Sequence, residues 1–466
     1  MSLQRLWMAI AILLPPLVSL LVALPAVDLA YQVRTGEMIL ATGAIPRTDS
    51  FTFTVYGQPW LDQQWLSQVL LALGFRLGGW ELLMVLRAAL AVVMGVMLLL
   101  AARLRGCSPR TAAIVALIAF LVTAPALALR PQMFAIALFT VMVALVAGRE
   151  RHPRAYLLAP VLVIVWANLH GSFVLAPLLL GYAWLEDVAR RRPARRAFAV
   201  LAASTLATLV NPFGLAVWTY AAGIGASPTI AARVSEWQHT SPLSSEGALF
   251  YPSVIAVGIL AWRRRSRLVW PDPLWLAGLA FLGAWAVRGD AWWPAGALLV
   301  AAKALASTGE ATAPRPVPET AARLNALVVG ILGLAIVAAL PWWRPADSLT
   351  GRVGLITYAP TGLTRALLEH AKPGDRVVVP QPWGSWFEWA APEQFYFVDS
   401  RFELFPASIW DDSDRIAWGG DGARDVLDHW QVDAVVLAPD WPMPSGPWTV
   451  VYKDAEGQLI IPAPVR

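Results

Sequence analysis

Apolar runs of roughly membrane-spanning length recur along the first 340 residues, and this repetition constrains the fold more than any other feature. A helix that crosses a bilayer needs about 20 predominantly apolar residues. Hydrophobic residues make up 58% of the chain and charged residues 14%, which is more apolar surface than a soluble core buries. The sequence therefore predicts a mainly α, polytopic membrane protein with about eleven transmembrane helices. The predicted spans are 6–27, 80–102, 111–127, 133–148, 155–169, 173–188, 197–212, 248–262, 273–288, 291–307 and 324–340.

The amino-terminal run, 6–27, has features of a secretory signal peptide, because Arg5 precedes it and small residues lie near Ala26. It is longer than the apolar core of a signal peptide, and further spans follow it. We therefore expect an uncleaved first helix. The single cysteine, Cys107, excludes an internal disulfide.

Four loops between predicted spans are rich in arginine, and all four fall on one side when the spans are counted. The positive-inside rule makes that side cytoplasmic. We therefore expect a multi-pass protein of a bacterial cytoplasmic membrane, with a cytoplasmic amino terminus and with 28–79, 212–247 and the segment from 341 outside. Anionic lipid, rather than nucleic acid, is the expected partner of these loops. Their arginines are Arg103, Arg105, Arg110, Arg149, Arg151, Arg154, Arg190, Arg191, Arg192, Arg195, Arg196, Arg263, Arg264, Arg265 and Arg267.

The segment after residue 341 changes from long apolar runs to short alternating strands and helices. This alternation predicts a small soluble α/β domain, 341–466, outside the membrane, attached to a transmembrane domain, 1–340. The Pro- and Ala-rich stretch 308–320 is predicted to be a cytoplasmic linker. The predicted strands are 377–380, 395–399, 433–439 and 449–454, and the predicted helices are 361–371 and 422–430.

Three charged residues alternate at the end of the second predicted strand, in FVDSRFELFP. Alternate residues on a strand share a face, so Asp399, Arg401 and Glu403 are expected to form one cluster. We interpret this cluster as a structural ion network or as a lid over a membrane cavity.

The first external loop contains two amphipathic stretches. Asp28 opens the first, where an acidic residue suits both the N-cap and the helix dipole. Asp62 begins the second, 62–75, at its cap position. Two interfacial helices on the outer leaflet are therefore expected. The predicted apolar face of the first helix consists of Leu29, Val33, Gly36 and Leu40.

The pattern D…RTGE.IL..G.IPRTD.F.FT…PW.D..WL in 28–66 resembles the GT-C superfamily of integral-membrane glycosyltransferases. That superfamily includes protein O-mannosyltransferases, the aminoarabinose transferases of lipid A and the Rgt-type bacterial sugar transferases. The pattern is also similar to a large set of uncharacterised bacterial membrane proteins. The resemblance extends in topology over 1–340, and it implies an enzyme that transfers sugars from polyprenyl-phosphate donors to a lipid, glycan or protein acceptor.

The resemblance also implies that Asp28 is the catalytic base, because the family's base is the acidic residue of the first external loop. One carboxylate can free an acceptor hydroxyl of its proton while the lipid phosphate leaves. Such a single displacement inverts the anomeric configuration. The alternative interpretation is that Asp28 only caps its helix.

Many family members carry a second acidic residue next to the first, and this chain departs from that pattern. Leu29 and Ala30 follow Asp28, and the next acidic residues are Glu37 and Asp49. A divalent metal site in this loop is therefore not supported, and no cofactor is expected.

Three external arginines are candidate phosphate ligands, because their position opposes the positive-inside bias and guanidinium suits phosphate. They are Arg47 in IPRTD, Arg130 in ALRPQ and Arg288 in the RGD stretch. Anchoring of lipid headgroups is the alternative role. Further candidates for substrate binding are Asp49, Asp62, His170 in WANLHGSF and Glu236 in SEWQHTSP. For His170, a structural role in a tight turn is the alternative.

Two other functions fit a polytopic chain of this kind. One is a transporter or flippase of a lipid-linked substrate, although the predicted spans contain few charged residues apart from Arg87. The other is a non-catalytic membrane assembly subunit. The sequence contains neither a P-loop nor a strand-linked G-x-G-x-x-G, so a nucleotide-driven transporter or a dehydrogenase is not expected.

Overall fold

A computed structural model of the chain describes residues 1–307 and 318–463. Most of the predicted linker 308–320 therefore lies outside the described residues. The chain divides into two compact units. The first, here called the membrane unit, consists of Met1–Val22, Met84–Ala226 and Ala231–Trp343. The second, here called the α/β unit, consists of Ala23–Leu83, Ser227–Ile230 and Arg344–Arg466.

Within the described residues, seven helices are long and apolar enough to cross a membrane, so the predicted count of eleven is not confirmed. The chain is nevertheless a multi-pass membrane protein by this measure. One of the seven, Trp65–Leu104, is interrupted at Gly78 and Gly79, where the backbone leaves the helical region. The candidate spans are Leu3–Leu21, Trp65–Leu104, Pro109–Ala126, Pro131–Gly148, Gly171–Ala189, Ser245–Arg263 and Glu319–Ala338.

The other four predicted spans correspond to shorter helices. They are Ala159–Leu169 with the short Pro153–Tyr156 before it, Arg195–Ala207, Pro271–Trp285 and Trp293–Ala304. Every residue of Trp293–Ala304 is buried. An apolar stretch of 10–14 residues is typical of a helix buried in protein, and Trp293–Ala304 fits that description. Ala216–Ala226, Pro228–Arg233 and Val287–Asp290 are the remaining short helices before residue 307.

Residues of the four arginine-rich loops come together in the membrane unit. Glu186, which is fully buried, pairs with Arg105 at 2.9 Å, Arg149 at 3.1 Å and Arg190 at 3.3 Å. Arg190 also donates a hydrogen bond to the carbonyl oxygen of Arg267, at 3.4 Å. This arrangement agrees with the expectation that the four loops share one side.

The α/β unit contains a five-stranded mixed sheet. Its spatial order is Phe395–Tyr396, Arg376–Val378, Ala434–Leu437, Gly457–Pro462 and Trp448–Asp454. The first three strands are parallel, and the last two are antiparallel additions. All four predicted strands are present, whereas Gly457–Pro462 was missed. Leu24–Pro25 pairs with Ile356–Thr357, and Ala346–Asp347 pairs with Gly351–Arg352.

Four helices of the carboxyl-terminal segment accompany this sheet. Thr361–His370 and Gly420–His429 agree with the predicted helices, whereas Gln381–Ala390 and Ala407–Trp418 were not predicted. In Gln381–Ala390 the polar residues are few, and Ser385 and Glu388 are buried, so this helix lacks the solvent-exposed polar face by which an amphipathic helix is recognised.

The first external loop folds into the α/β unit. Its helix Ala26–Thr42 packs on Gln381–Ala390. Gly36 also allows this helix to lie close to the backbone of Gln68, because a Cβ atom at position 36 would be 2.0 Å from the carbonyl oxygen of Gln68. Further along the loop, Thr52 bridges to Tyr396 in parallel and so extends the edge of the sheet. Much of the predicted apolar face is therefore buried against protein: Leu29 and Val33 are fully buried and Gly36 is also buried.

Candidate functional site

The predicted site residues divide equally between the two compact units. The membrane unit contains Arg130, His170, Glu236 and Arg288. The α/β unit contains Asp28, Arg47, Asp49 and Asp62.

A polar pocket of about 440 Å³ lies in the membrane unit. Arg130 reaches it from the N-cap position of Pro131–Gly148, where the backbone is extended. Arg288 lies on the short helix Val287–Asp290. The pocket is lined by Pro125, Ala126, Arg130, Gln132, Ser235, Glu236, Gln238, His239, Ser241, Ser244, Glu246, Val287, Arg288 and Asp290. Three residues that were predicted separately from the sequence thus meet in one cavity.

Glu236 joins the two arginines of this pocket. One carboxylate oxygen lies 2.6 Å from Arg130 Nη2, and the other lies 3.5 Å from Arg288 Nε. Burial alone would raise the pKa of Glu236, but the charges of Arg130 and Arg288 hold it below its ordinary value. Two guanidinium groups therefore share the Glu236 carboxylate, and Glu246 and Asp290 add two further acidic side chains to the lining of the same pocket.

Neighbouring groups fix the orientation of Arg288. Its Nε donates a hydrogen bond to Gln132 Oε1 at 3.3 Å. Its guanidinium carbon lies 5.4 Å from the centre of the Trp237 ring, within the range of a cation–π contact. A bidentate anion would meet a guanidinium that is already oriented.

Asp290 lies in the same pocket and was not among the predicted site residues. It is 7% exposed. Burial, together with the negative charges of Glu246 and Glu236, raises the pKa of Asp290 to about 7. This carboxyl group can therefore donate or accept a hydrogen bond near neutral pH. Its position two residues after Arg288, in a turn between apolar helices, is the sequence signal that could have indicated it.

His170 lies in the turn between Ala159–Leu169 and the short 3-10 helix Gly171–Val174. Its Nδ1 accepts a hydrogen bond from the Ser172 backbone N–H at 3.1 Å and lies 2.8 Å from Ser172 Oγ. Burial and then the charges of Arg288 and Arg130 lower the pKa of His170 well below its ordinary value. The imidazole is therefore neutral at pH 7 and orders the turn.

In the α/β unit, Asp28 is the third residue of Ala26–Thr42 and is half-buried. The N-cap position belongs to Pro25, so the predicted capping role of Asp28 is wrong. The helix begins earlier than expected because Leu24–Pro25 is held in an extended pair with Ile356–Thr357. Asp28 still lies in the first helical turn, where the helix dipole favours a carboxylate.

Arg401 is the centre of a buried cluster in the α/β unit. Its Nη2 lies 2.5 Å from both Asp49 and Asp399, and 4.0 Å from Glu388. Its guanidinium also contacts aromatic rings, at 4.6 Å from Trp60 and 4.9 Å from Phe51. The expected association of Asp399 with Arg401 is therefore present. Glu403 is exposed, because the strand ends at Tyr396 and the chain turns into the 3-10 helix Phe402–Leu404.

Asp49 and Asp62 are both almost fully buried. Asp49 Oδ2 accepts hydrogen bonds from the Thr52 backbone N–H at 3.0 Å and from Thr52 Oγ1 at 2.8 Å. Asp62 accepts one from Gln68 Nε2 at 2.7 Å, and burial raises the pKa of Asp62 to about 7. Asp62 does not cap the following helix, which begins at Trp65. The side chain of Arg47, by contrast, is exposed.

Across 1–307 and 318–463, no group of three or more His, Cys, Asp or Glu side chains is arranged to hold a metal ion.

No protein-family model matches the sequence, and no curated protein is significantly similar to it. Solved structures, in contrast, do match it. An oligosaccharyltransferase from Archaeoglobus fulgidus aligns with a TM-score of 0.56 and 13% identity, over 93% of this chain and 69% of that one. The arabinofuranosyltransferase AftD from Mycobacteria aligns with a TM-score of 0.56 and 17% identity, over 99% of this chain. This chain spans only 40% of AftD. Both neighbours are GT-C glycosyltransferases, so the chain has a GT-C-like fold, as the sequence resemblance predicted.

Proposed function

We propose that this protein is a membrane glycosyltransferase that moves a sugar from a polyprenyl-phosphate donor to an acceptor hydroxyl. The observation that carries the proposal is the meeting of Arg130 and Arg288 on one carboxylate in a polar pocket of a GT-C-like fold. The fold alone is compatible with several chemistries, and the pocket adds a site whose charge suits a phosphate group.

In this proposal the donor phosphate binds to Arg130 and Arg288. Glu236 holds both guanidinium groups in place. A phosphate offers these groups oxygens for bidentate, charge-assisted hydrogen bonds. Arg47, which is exposed in the α/β unit, stays a further candidate for contact with the donor.

Asp28 is the proposed general base, following the resemblance to GT-C enzymes. The acceptor hydroxyl gives its proton to the Asp28 carboxylate while its oxygen forms a bond to the anomeric carbon. The bond from that carbon to the phosphate oxygen breaks, and the lipid phosphate leaves with the electron pair. One displacement inverts the configuration, so no second carboxylate needs to act as a nucleophile.

The proposed orientation follows from the four arginine-rich loops, which are cytoplasmic under the positive-inside rule. In this topology the protein resides in a bacterial cytoplasmic membrane with its amino terminus inside. The carboxyl-terminal α/β segment, 341–466, then lies outside, where it is available to a lipid, glycan or protein acceptor.

The test is sugar transfer by the purified protein reconstituted in vesicles with a radiolabelled polyprenyl-phosphate sugar. Asp28→Asn is expected to lower the turnover rate by about 100-fold or more, because it removes the base and keeps the shape. Asp440→Asn, at an exposed position of the α/β unit, is the matched control and should retain the wild-type rate.

Equal rates for Asp28→Asn and the wild type, with equal membrane insertion, would overturn the assignment of Asp28. Movement of the labelled lipid across the vesicle membrane without any sugar transfer would favour the flippase instead. If the protein shows neither sugar transfer nor movement of the labelled lipid, the result would favour an assembly subunit.

A further inference from the structure

A second cavity, of about 590 Å³, lies beside the arginine-rich loops of the membrane unit. Four arginines and two carboxylates line it, so its walls carry two surplus positive charges. We call it the basic pocket. Its lining consists of Arg149, Glu150, Tyr156, Asp187, Arg192, Pro193, Arg195, Arg196 and Ala197.

Two of the four arginines already have carboxylate partners. Arg149 pairs with Asp187 at 2.6 Å and is 5% exposed. Arg192 pairs with Glu150. These ion pairs hold the walls of the cavity in place, and both carboxylates that line the cavity take part in them.

The other two, Arg195 and Arg196, have no ion pair or hydrogen bond from their guanidinium groups among the described residues, and both are exposed. They occupy the first turn of Arg195–Ala207, whose N-terminus has no side-chain cap. The backbone N–H groups of this turn add a partial positive charge next to the two guanidinium groups. The unmatched charge of the basic pocket is therefore concentrated at one wall.

Large apolar side chains are exposed immediately beside the lining residues in the sequence. Leu157 follows Tyr156, Val188 follows Asp187 and Phe198 follows Ala197, and each is at least 45% exposed. In a multi-pass membrane protein such side chains are suited to contact with acyl chains. The basic pocket thus has a cationic wall, and we call the three exposed apolar residues next to its lining in the sequence the apolar border.

We propose that the basic pocket binds the phosphate headgroup of an anionic phospholipid from the leaflet next to the arginine-rich loops. The phosphate contacts Arg195 and Arg196, and the acyl chains lie along Leu157, Val188 and Phe198. A soluble phosphate would use the same cationic wall, but it would leave the apolar border without a partner. This site is independent of the proposed sugar transfer.

The experiment is native mass spectrometry of the full chain in detergent with added dioleoylphosphatidylglycerol or dioleoylphosphatidylcholine. For the wild type we expect tighter binding of phosphatidylglycerol. The double variant Arg195→Gln/Arg196→Gln should weaken that binding by about 30-fold, at about fivefold for each arginine, and leave phosphatidylcholine binding unchanged. Arg263→Gln/Arg264→Gln is the control, because it removes the same charge from an exposed arginine-rich loop outside the pocket.

Equal weakening in the control pair would overturn the proposal in favour of diffuse electrostatic attraction. Equal affinity of the wild type for the two lipids would also overturn it. Displacement of the bound lipid by millimolar glycerol 3-phosphate as effectively as by phosphatidylglycerol would show a site for soluble anions instead. If the double variant does not insert, the single variants Arg195→Gln and Arg196→Gln carry the same test, with about fivefold weakening expected for each.

Discussion

Two arginine–carboxylate clusters in this protein differ in balance and in exposure to solvent. In the α/β unit, Arg401 is 1% exposed and lies among three carboxylates. In the membrane unit, Arg130 and Arg288 share Glu236 at the wall of an open pocket. The first cluster is closed and contains one guanidinium group, and the second is accessible and contains two guanidinium groups that share one carboxylate.

The difference separates a structural role from a binding role. A buried charge is tolerated only where the protein itself supplies its partners. Arg401 meets this condition, because its neighbours include Asp49 from the first loop and Asp399 from the carboxyl-terminal segment. The pocket cluster instead faces a cavity, so its two guanidinium groups can be reached by an external anion.

The largest expected effect is on stability. Arg401→Met would leave Asp49 and Asp399 buried without a cation, which should reduce the free energy of unfolding of the α/β unit by about 3–5 kcal/mol. Thermal unfolding, with limited proteolysis as the readout, measures this change in stability. Arg415→Met removes an exposed arginine that pairs with Asp412 and should change stability by less than about 1 kcal/mol.

A stability loss for Arg401→Met no larger than that for Arg415→Met would show that the buried cluster does not hold the unit together. The distinction between the closed and the open cluster would then fail.

The second effect concerns donor binding. Arg288→Gln should raise the KM for a polyprenyl-phosphate donor by about 10- to 100-fold, because a charge-assisted phosphate contact contributes about 1.5–3 kcal/mol. Stability should change little, since the pocket is open to solvent. Steady-state kinetics with Arg264→Gln as a matched control would measure the effect. An unchanged KM with a normal fold would argue against phosphate binding at this pocket.

The sequence predicted most of the helices and strands but few of the contacts between them. Hydropathy located every long apolar helix, and period-two patterning located four of the five strands of the sheet. The fifth, Gly457–Pro462, ends in proline and follows a tight turn, so it resembled a carboxyl-terminal tail. The predicted count of eleven spans is not confirmed, and hydropathy alone does not separate burial in protein from burial in lipid, since both require apolar residues.

In the candidate sites, too, the sequence indicated single residues but not the contacts between them. Arg130, Glu236 and Arg288 were each recognised as polar residues at helix ends, but their meeting depends on packing between distant segments. Glu388 gave no signal at all, because a single glutamate in SWFEWA does not reveal which charges surround it after folding. The alternation in FVDSRFELFP predicted the association of Asp399 with Arg401, but Asp49 lies 352 residues from Arg401, and no local pattern encodes that contact.

The smallest expected effect tests how the closed cluster balances its charges. Burial, and then the neighbouring charge of Asp399, raise the pKa of Glu388 well above its ordinary value. A raised folded-state pKa contributes stability that is fully present below the unfolded pKa of Glu388 and is lost as the pH rises through its folded pKa. Glu388→Gln keeps a neutral side chain at every pH. The variant should therefore be as stable as the wild type at pH 5. Between pH 5 and pH 9 its free energy of unfolding should fall by about 1 kcal/mol less than that of the wild type.

Chemical denaturation across this pH range measures the difference, with Glu393→Gln as the control at an exposed position of the same unit. Parallel stability profiles for Glu388→Gln and the wild type would mean that Glu388 keeps the same charge in the folded and unfolded chains. The cluster would then hold three carboxylates against one guanidinium. A buried cation beyond Arg401 would then be needed to balance the closed cluster, whereas the open pocket needs none.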